Sequence, residues 1–380
     1  MWRGASLYSR GFFIGRKLTR AARIFVLISF ALAVCAASHA ETRVPKGSPR
    51  RADGRYKGAD AGLSQAQAPA YKRGMKFVTD ETGRRMAIPF SVQHIVTLAP
   101  DLTETVYALG LEDKLVGDTS FCDTPPAAKL KPHVGAPQTP NLEAIVAMHP
   151  DLVLATTSIN RAETADALLR LGIPVYTSDP HTVRGMLESI ARMADLMGAN
   201  EQGTALVAQL QARLDAVHAR IAELPLVHVL FVVWEDPLIT IGQNTFIADA
   251  LRWAGAESVI VANQNWPQVS MEEIVRLQPE YILFTANHSE ADKDHELDRL
   301  RTQPAWKALK AIQMGDILKV DDEITMPSPG LIGAIEQIAH ALHREAFSSA
   351  ARENIFEHEV GMKIEVFVTI RQRECDFCGL

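Results

Sequence analysis

Asp101, Glu104 and Asp123 place three carboxylates in one short stretch of the chain, where acid–base chemistry would call for them. A catalytic carboxylate needs a nucleophile or a proton within hydrogen-bond reach, and a third group to orient the pair. No such spacing accompanies these three, and no P-loop, G-x-S-x-G or dinucleotide glycine motif occurs. His288 and His295 fall in the polar run NHSEADKDHELD, and no H-x-H or H-E-x-x-H pattern exists. Capture of a bare metal ion is therefore not expected, and neither is a cofactor. Cys375 and Cys378 form one C-x-x-C without a second pair or a histidine partner, which fits a local disulfide, or no role at all, better than zinc. The chemistry left is that of a surface: Glu143 and Glu272 each fall at the second position of an expected helix, where a carboxylate is favoured by ~0.3–1 kcal/mol.

Those two glutamates sit in a segment that occurs twice. Residues 141–154 read NLEAIVAMHPDLVL and residues 270–283 read SMEEIVRLQPEYIL, identical at five of fourteen positions. Asn141 and Ser270 are good N-caps, because a side-chain oxygen can accept from the open amides of the first turn. Ser270 and Glu273 have the spacing of a capping box. Leu142, Ile145, Val146 and His149 form a helical stripe, Pro150 and Pro279 stop the helices, and LVLA and YILF read as buried parallel strands.

The repeat extends upstream. TETVYALGLEDKLV at Thr103 and TFIADALRWAGAESVI at Thr245 each give an amphipathic helix, a stop at Gly110 or Gly255, and a short apolar run. Thr103 is the expected cap of the first of these helices. The fold class that follows is α/β: two similar lobes with central parallel sheets, joined by one long helix, with a ligand cleft between the lobes. The lobes are expected at 74–181 and 225–348, the first opening with a β-hairpin at Met75–Phe90 and a central strand at His94–Leu98. Residues 182–224 read as helix with a break near Gly198, and the part carrying Leu206, Leu210, Leu214, Val217 and Ile221 is long enough to cross between lobes. Val227–Trp234 reads as the first strand of lobe 2, and Leu331–Leu342 as a final amphipathic helix. A stiff helical connection predicts slight closure over a ligand and no wide hinge motion.

Arg16, Lys17, Arg20 and Arg23 precede the apolar run Ile24–Ala37, and Ser38-His39-Ala40 offers small residues before a cut at Glu41. Residues 1–40 are thus an expected export signal, which places the mature protein in the periplasm. LAVC offers a second reading, lipidation at Cys35, although Val34 stands where a small residue is usual. Residues 41–73 have almost no large apolar side chains and read as a disordered linker; the tail 349–380 has no counterpart in the repeat and no assigned role. A net charge of −6 with 47% hydrophobic residues argues for a globular protein and against a nucleic-acid binder. A monomer is expected.

From 75 to 345 the chain resembles the helical-backbone (class III) substrate-binding proteins that feed ABC importers for vitamin B12, ferric siderophores and haem. The resemblance rests on VTDETGRRMAIP, HIVTLAPDLTETVYALG, FCDTPP, NLEAIVAMHPDLVLA and WPQVSMEEIVRLQPEYIL, and it is greatest for the cobalamin-binding branch. It implies a corrinoid or another metal chelate, such as a ferric siderophore or haem, in the cleft. It further implies an aromatic wall from Phe121 and Trp266, with Trp234 added at the mouth of lobe 2. Asp322 matches a polar contact to the ligand edge. Glu143 and Glu272 match the carboxylates that dock on a dimeric permease. Pro137 and Thr156 stand where the cobalamin-binding relative has tryptophans, and Met326 stands for an arginine. Cys122 or His133 could supply an axial ligand to cobalt or haem iron. Related lobes also occur in metallocluster enzymes, so an enzyme is the distant alternative.

Overall fold

The computed structural model describes residues 74–285 and 293–348, with the side chains of 293–296 left out. The expected signal, linker and tail fall outside the described residues, and with them Cys35, Cys375, Cys378 and the two histidines His288 and His295 as side chains. Among the described residues no helix is long and apolar enough to cross a membrane.

The chain opens with an antiparallel hairpin, β1 (Met75–Thr79) and β2 (Arg85–Pro89). Its turn is closed by Asp80, whose Oδ1 accepts from the amides of Thr82 and Arg84. Then come β3 (Ile95–Thr97), α1 (Pro100–Ala108), β4 (Leu115–Gly117), the small hairpin β5 (Gly135–Ala136) and β6 (Thr139–Pro140), α2 (Leu142–Ala147), β7 (Leu152–Thr156), α3 (Ala162–Arg170) and β8 (Val175–Ser178). The main strands form a parallel sheet ordered β4-β3-β7-β8. All five residues of β7 are buried, as a strand covered on both faces requires.

Two helices follow, α4 (Val183–Met197) and α5 (Asn200–Ile221). Gly198 takes a left-handed conformation between them, with φ 74°. The connection is therefore a helical pair. The expected crossing helix is α5, about 33 Å long at 1.5 Å per residue. Its Gly203 packs on Ala194 of α4 and beside Leu109 of lobe 1, while Ile221 lies against Gly255 of lobe 2. Midway, Arg213 grips Glu336 with two hydrogen bonds of 2.8 and 2.6 Å.

Lobe 2 repeats the plan. Its elements are β9 (Val227–Val232), the two-residue strands β10 (Trp234–Glu235) and β11 (Leu238–Ile239), α6 (Phe246–Trp253), β12 (Ala256–Ser258), α7 (Met271–Leu277), β13 (Tyr281–Thr285), α8 (Lys293–Thr302), α9 (Pro304–Lys307), α10 (Lys310–Met314), β14 (Ile317–Val320) and α11 (Leu331–Leu342). The parallel sheet has the order β12-β9-β13-β14, strand for strand the order of lobe 1. Each lobe has its own core, and the repeat positions Ile145 and Ile274 anchor them, both fully buried. Burying an isoleucine contributes roughly 1.5–3 kcal/mol. Even the chain reversals correspond: His149 and Gln278, just before the two prolines, have φ of 48° and 49°.

Three local expectations are corrected. The helix expected from Thr103 begins at Pro100, with Ala99 as an unassisted cap; the Thr103 hydroxyl is drawn inward to Thr97 at 2.5 Å. The capping box of α7 is half made. Ser270 accepts from the Glu273 amide at 3.2 Å, but the Glu273 carboxylate turns to Arg276 at 2.6 Å. Finally, β9 ends at Val232, so Trp234 belongs to a separate short hairpin.

Candidate ligand site

Ligands of parallel α/β sheets sit beyond the carboxyl ends of the strands. In lobe 1 three segments meet at that edge, and one side chain ties them. Asn160 Nδ2 donates to the carbonyls of Leu98 and Pro137 at 2.8 and 2.9 Å, and its Oδ1 accepts from the Thr156 amide at 2.8 Å. Pro137 is buried and Thr156 is 1% exposed, so neither offers a flat face to a ligand. Asn160 escaped the sequence reading. Its signal was an asparagine just past a buried strand, where a side-chain amide can serve open backbone groups.

Phe121 lies half-buried in the turn between β4 and the short 3₁₀ helix Pro126–Leu130. Its neighbour Cys122 is 1% exposed, with its sulfur 3.1 Å from the Thr103 hydroxyl and 3.2 Å from that of Thr119. Burial pushes the thiol up to about 11. A group held as a buried thiol makes a poor metal ligand, which rules against the axial role considered for Cys122. His133 is different. Its Nδ1 lies 2.6 Å from Oδ1 of Asp118, a residue with no exposed side-chain surface, and the histidine keeps more than a third of its own. Burial pushes the Asp118 carboxyl up to about 6 against the opposing effect of His133.

In lobe 2 a ribbon forms beyond β9. Trp234 pairs with Ile239 across the β10–β11 hairpin, and Ile239 bridges in turn to Gln268. Trp266, two residues from Gln268, belongs to this third edge. Both tryptophans are half-buried. The Trp234 indole donates to the Asp236 carbonyl at 2.7 Å. The Trp266 loop is held through its backbone: Gly242 N–H donates to the Asn265 carbonyl at 2.9 Å, and Thr240 N–H to that of Pro267 at 3.1 Å. Gly242 is required by this closeness, since a Cβ there would stand 1.8 Å from the Gln264 carbonyl oxygen. Gly242→Ala should therefore cost about 1–3 kcal/mol and displace the loop. Urea unfolding followed by tryptophan emission checks this; a variant as stable as wild type, with the same emission, would show that the loop yields freely.

Asp322 opens a 3₁₀ turn, Asp322–Thr325, beyond β14. Lobe 1 reaches the start of α11, a few residues past this turn, through Glu104, whose Oε1 accepts from the Gly330 amide at 2.5 Å. Met326 follows the turn half-buried. The other two sequence carboxylates do not join into a catalytic group. Asp101 is buried on α1, its carboxyl pushed up to about 7 mainly by burial, while Asp123 faces Lys129 at 3.9 Å. Among the described residues no cluster of three or more histidine, cysteine or acidic side chains could hold a metal ion. Glu143 and Glu272 are both exposed, at equivalent places on α2 and α7. A hollow of about 150 Å³ lies elsewhere, where α5 meets α11, lined by Arg213, Arg220, His340 and Phe347 among others. It is smaller than the sites that hold drug-sized ligands, and none of Phe121, Trp234, Trp266 and Asp322 lines it.

The model of one known family, periplasmic binding protein, matches residues 95–324. The chain belongs to this family. Among similar curated proteins is the vitamin B12-binding protein of Vibrio cholerae, 28% identical over 256 residues, covering 67% of this chain and 90% of that one. Among solved structures is a periplasmic vitamin B12 binding protein of Vibrio cholerae, 26% identical with a TM-score of 0.59, covering 68% of this chain and 99% of that chain. A periplasmic haem-binding protein in complex with two haems is 25% identical, also at a TM-score of 0.59, covering 66% and 99%. Family members of this kind bind solutes for transport, and the two-lobed α/β architecture is common to them.

Proposed function

We propose that the protein captures a corrinoid, cobalamin or a precursor such as a cobinamide, between its lobes in the periplasm and delivers it to an ABC permease. The observation that carries this reading is the lobe 2 ribbon with two half-buried tryptophans, placed beyond the strand ends as Phe121 is in lobe 1. Corrin is a large, mostly apolar plate with an amide fringe, and flat aromatic walls with a polar rim such as Asp322 suit it. The vitamin B12-binding relatives support the same ligand class. Pro137 and Thr156 leave the lobe 1 wall less aromatic, which suits a trimmed corrinoid as well as the complete vitamin.

A second reading, haem, is favoured by His133. A histidine whose one ring nitrogen is fixed by a buried carboxylate has the other set for a metal. One experiment separates the readings and tests for turnover at the same time. The purified protein is incubated with cobalamin, cobinamide, haem or a ferric siderophore, desalted, and its absorption spectrum recorded. Retention of about one corrinoid per chain, chemically unchanged, is the expected result. Retention of haem or a siderophore with no corrinoid would transfer the protein to that branch, and chemical conversion of the ligand would reinstate the enzyme.

A further inference from the structure

Glu104 and Glu323 belong to different lobes and meet at one glycine. Glu104 stands on α1 and accepts from the Gly330 amide at the start of α11, at 2.5 Å. Glu323 lies in the Asp322–Thr325 turn and accepts from the Ser328 hydroxyl at 2.8 Å. A Cβ on Gly330 would stand 2.8 Å from Glu104 Oε1 and 2.9 Å from Glu323 Oε2, so both carboxyl groups border the same small space. The two carboxyl groups thus approach each other across Gly330 from opposite lobes. Two carboxylates confined to so small a space repel, so both do not ionise together, and a proton held between them removes the repulsion.

The surrounding charges do not replace that proton. Asp101, one turn before Glu104 on α1, is buried and adds acid. On α6, Asp249 is taken by the Val183 amide at 2.8 Å and Arg252 leans to the Gln243 carbonyl at 3.4 Å. On α11, Glu336 is paired with Arg213.

We propose that one proton shared by Glu104 and Glu323 clasps the two lobes together at the rim that carries Asp322, and that losing this proton loosens the lobe–lobe contact. Burial first, and then the charge of Glu323, pushes the Glu104 carboxyl from an ordinary 4.5 up to about 8. The sign follows. The folded protein keeps a proton that the unfolded chain loses near 4.5, so the stability it brings is full below that pH, declines above it and is gone beyond about 8. The clasp does not depend on which ligand fills the cleft. Its place beside Asp322 means that opening it would move a residue proposed to touch the ligand edge.

Amide hydrogen exchange on the full chain without ligand tests the clasp. After correction for the intrinsic rate, protection of residues 326–332 should fall about tenfold between about pH 6 and about pH 9.5. Glu104→Gln can still accept from Gly330 and can donate to Glu323, yet it does not titrate, so its protection should fall far less than that of wild type over the same range, by no more than the share that buried Asp101 brings. Glu323→Gln should level the profile from the other side, and it decides the matter if the first variant does not fold. Wild-type protection that ignores pH would overturn the clasp. So would a glutamine variant whose profile still falls as wild type does. Because no ligand is present, failure of the corrinoid reading leaves this outcome untouched.

Discussion

Replacing Glu143 and Glu272 together with arginine should abolish uptake while ligand binding by the isolated protein stays within about threefold. Both carboxylates are exposed and stand at the second position of α2 and α7, equivalent helices in equivalent lobes. Capping is done by their neighbours: Asn141 accepts from the Ala144 amide and Ser270 from the Glu273 amide. The reversed charges therefore meet only the helix dipoles, at a stability cost of ~1–2 kcal/mol for the two sites together. A continuous α5, packed beside Leu109 at one end and against Gly255 at the other, should keep the two helices in a steady relation as the cleft fills. A permease of two similar subunits could then meet one carboxylate with basic residues on each subunit. Such pairs steer and orient docking more than they add affinity. Uptake measured in cells carrying the cognate permease, beside binding by the purified variant, checks both halves. Wild-type uptake would leave these glutamates as helix-start residues and nothing more.

The architecture was legible because it is written twice. An apolar run that must be covered on both faces, as at β7 and β13, forces a parallel sheet, and the paired prolines and glycines mark where each helix must stop. The matching strand orders of the two lobes bear this out. Local propensity misled where tertiary demand was stronger. Thr103 has the chemistry of a cap, but inside the lobe its hydroxyl is needed by Thr97 and Cys122, so α1 starts without one. Glu273 has the spacing of a capping box, but an arginine one turn on offers a stronger, charge-assisted partner.

The site was less legible, for a physical reason. Its supports are side chains that act on backbone atoms distant in sequence. Asn160 serves Leu98 and Pro137 from across the sheet edge, and Gly242 is required only because the Gln264 carbonyl passes above it. Nothing in the spacing of either residue carries that information. The Glu104–Glu323 meeting is of the same kind: Glu104 stood out as a carboxylate, and nothing in the sequence placed Glu323 beside it.

Trp266→Ala should weaken corrinoid binding by about 1–3 kcal/mol, roughly 5- to 150-fold in Kd, the range set by loss of aromatic burial against the ligand plate. This variant isolates the ring better than its neighbours would. The loop stands on backbone bonds from Gly242 and Thr240, which survive truncation of the indole. Trp234 is a poorer probe, because its own indole N–H closes the β10–β11 turn through Asp236, so its removal would disturb the ribbon as well as the wall. Phe121 stands on the other lobe. If both lobes clamp one plate, losses from Phe121→Ala and Trp266→Ala should be coupled: whichever face is lost first, the second loss costs less, because the remaining wall no longer sandwiches the ligand. Titration by absorption and by quenching of tryptophan emission, on both single variants and the double variant, gives the coupling directly. Unchanged affinity in Trp266→Ala would remove this residue from the pocket, and simple additivity would mean that the two aromatics do not hold the same plate.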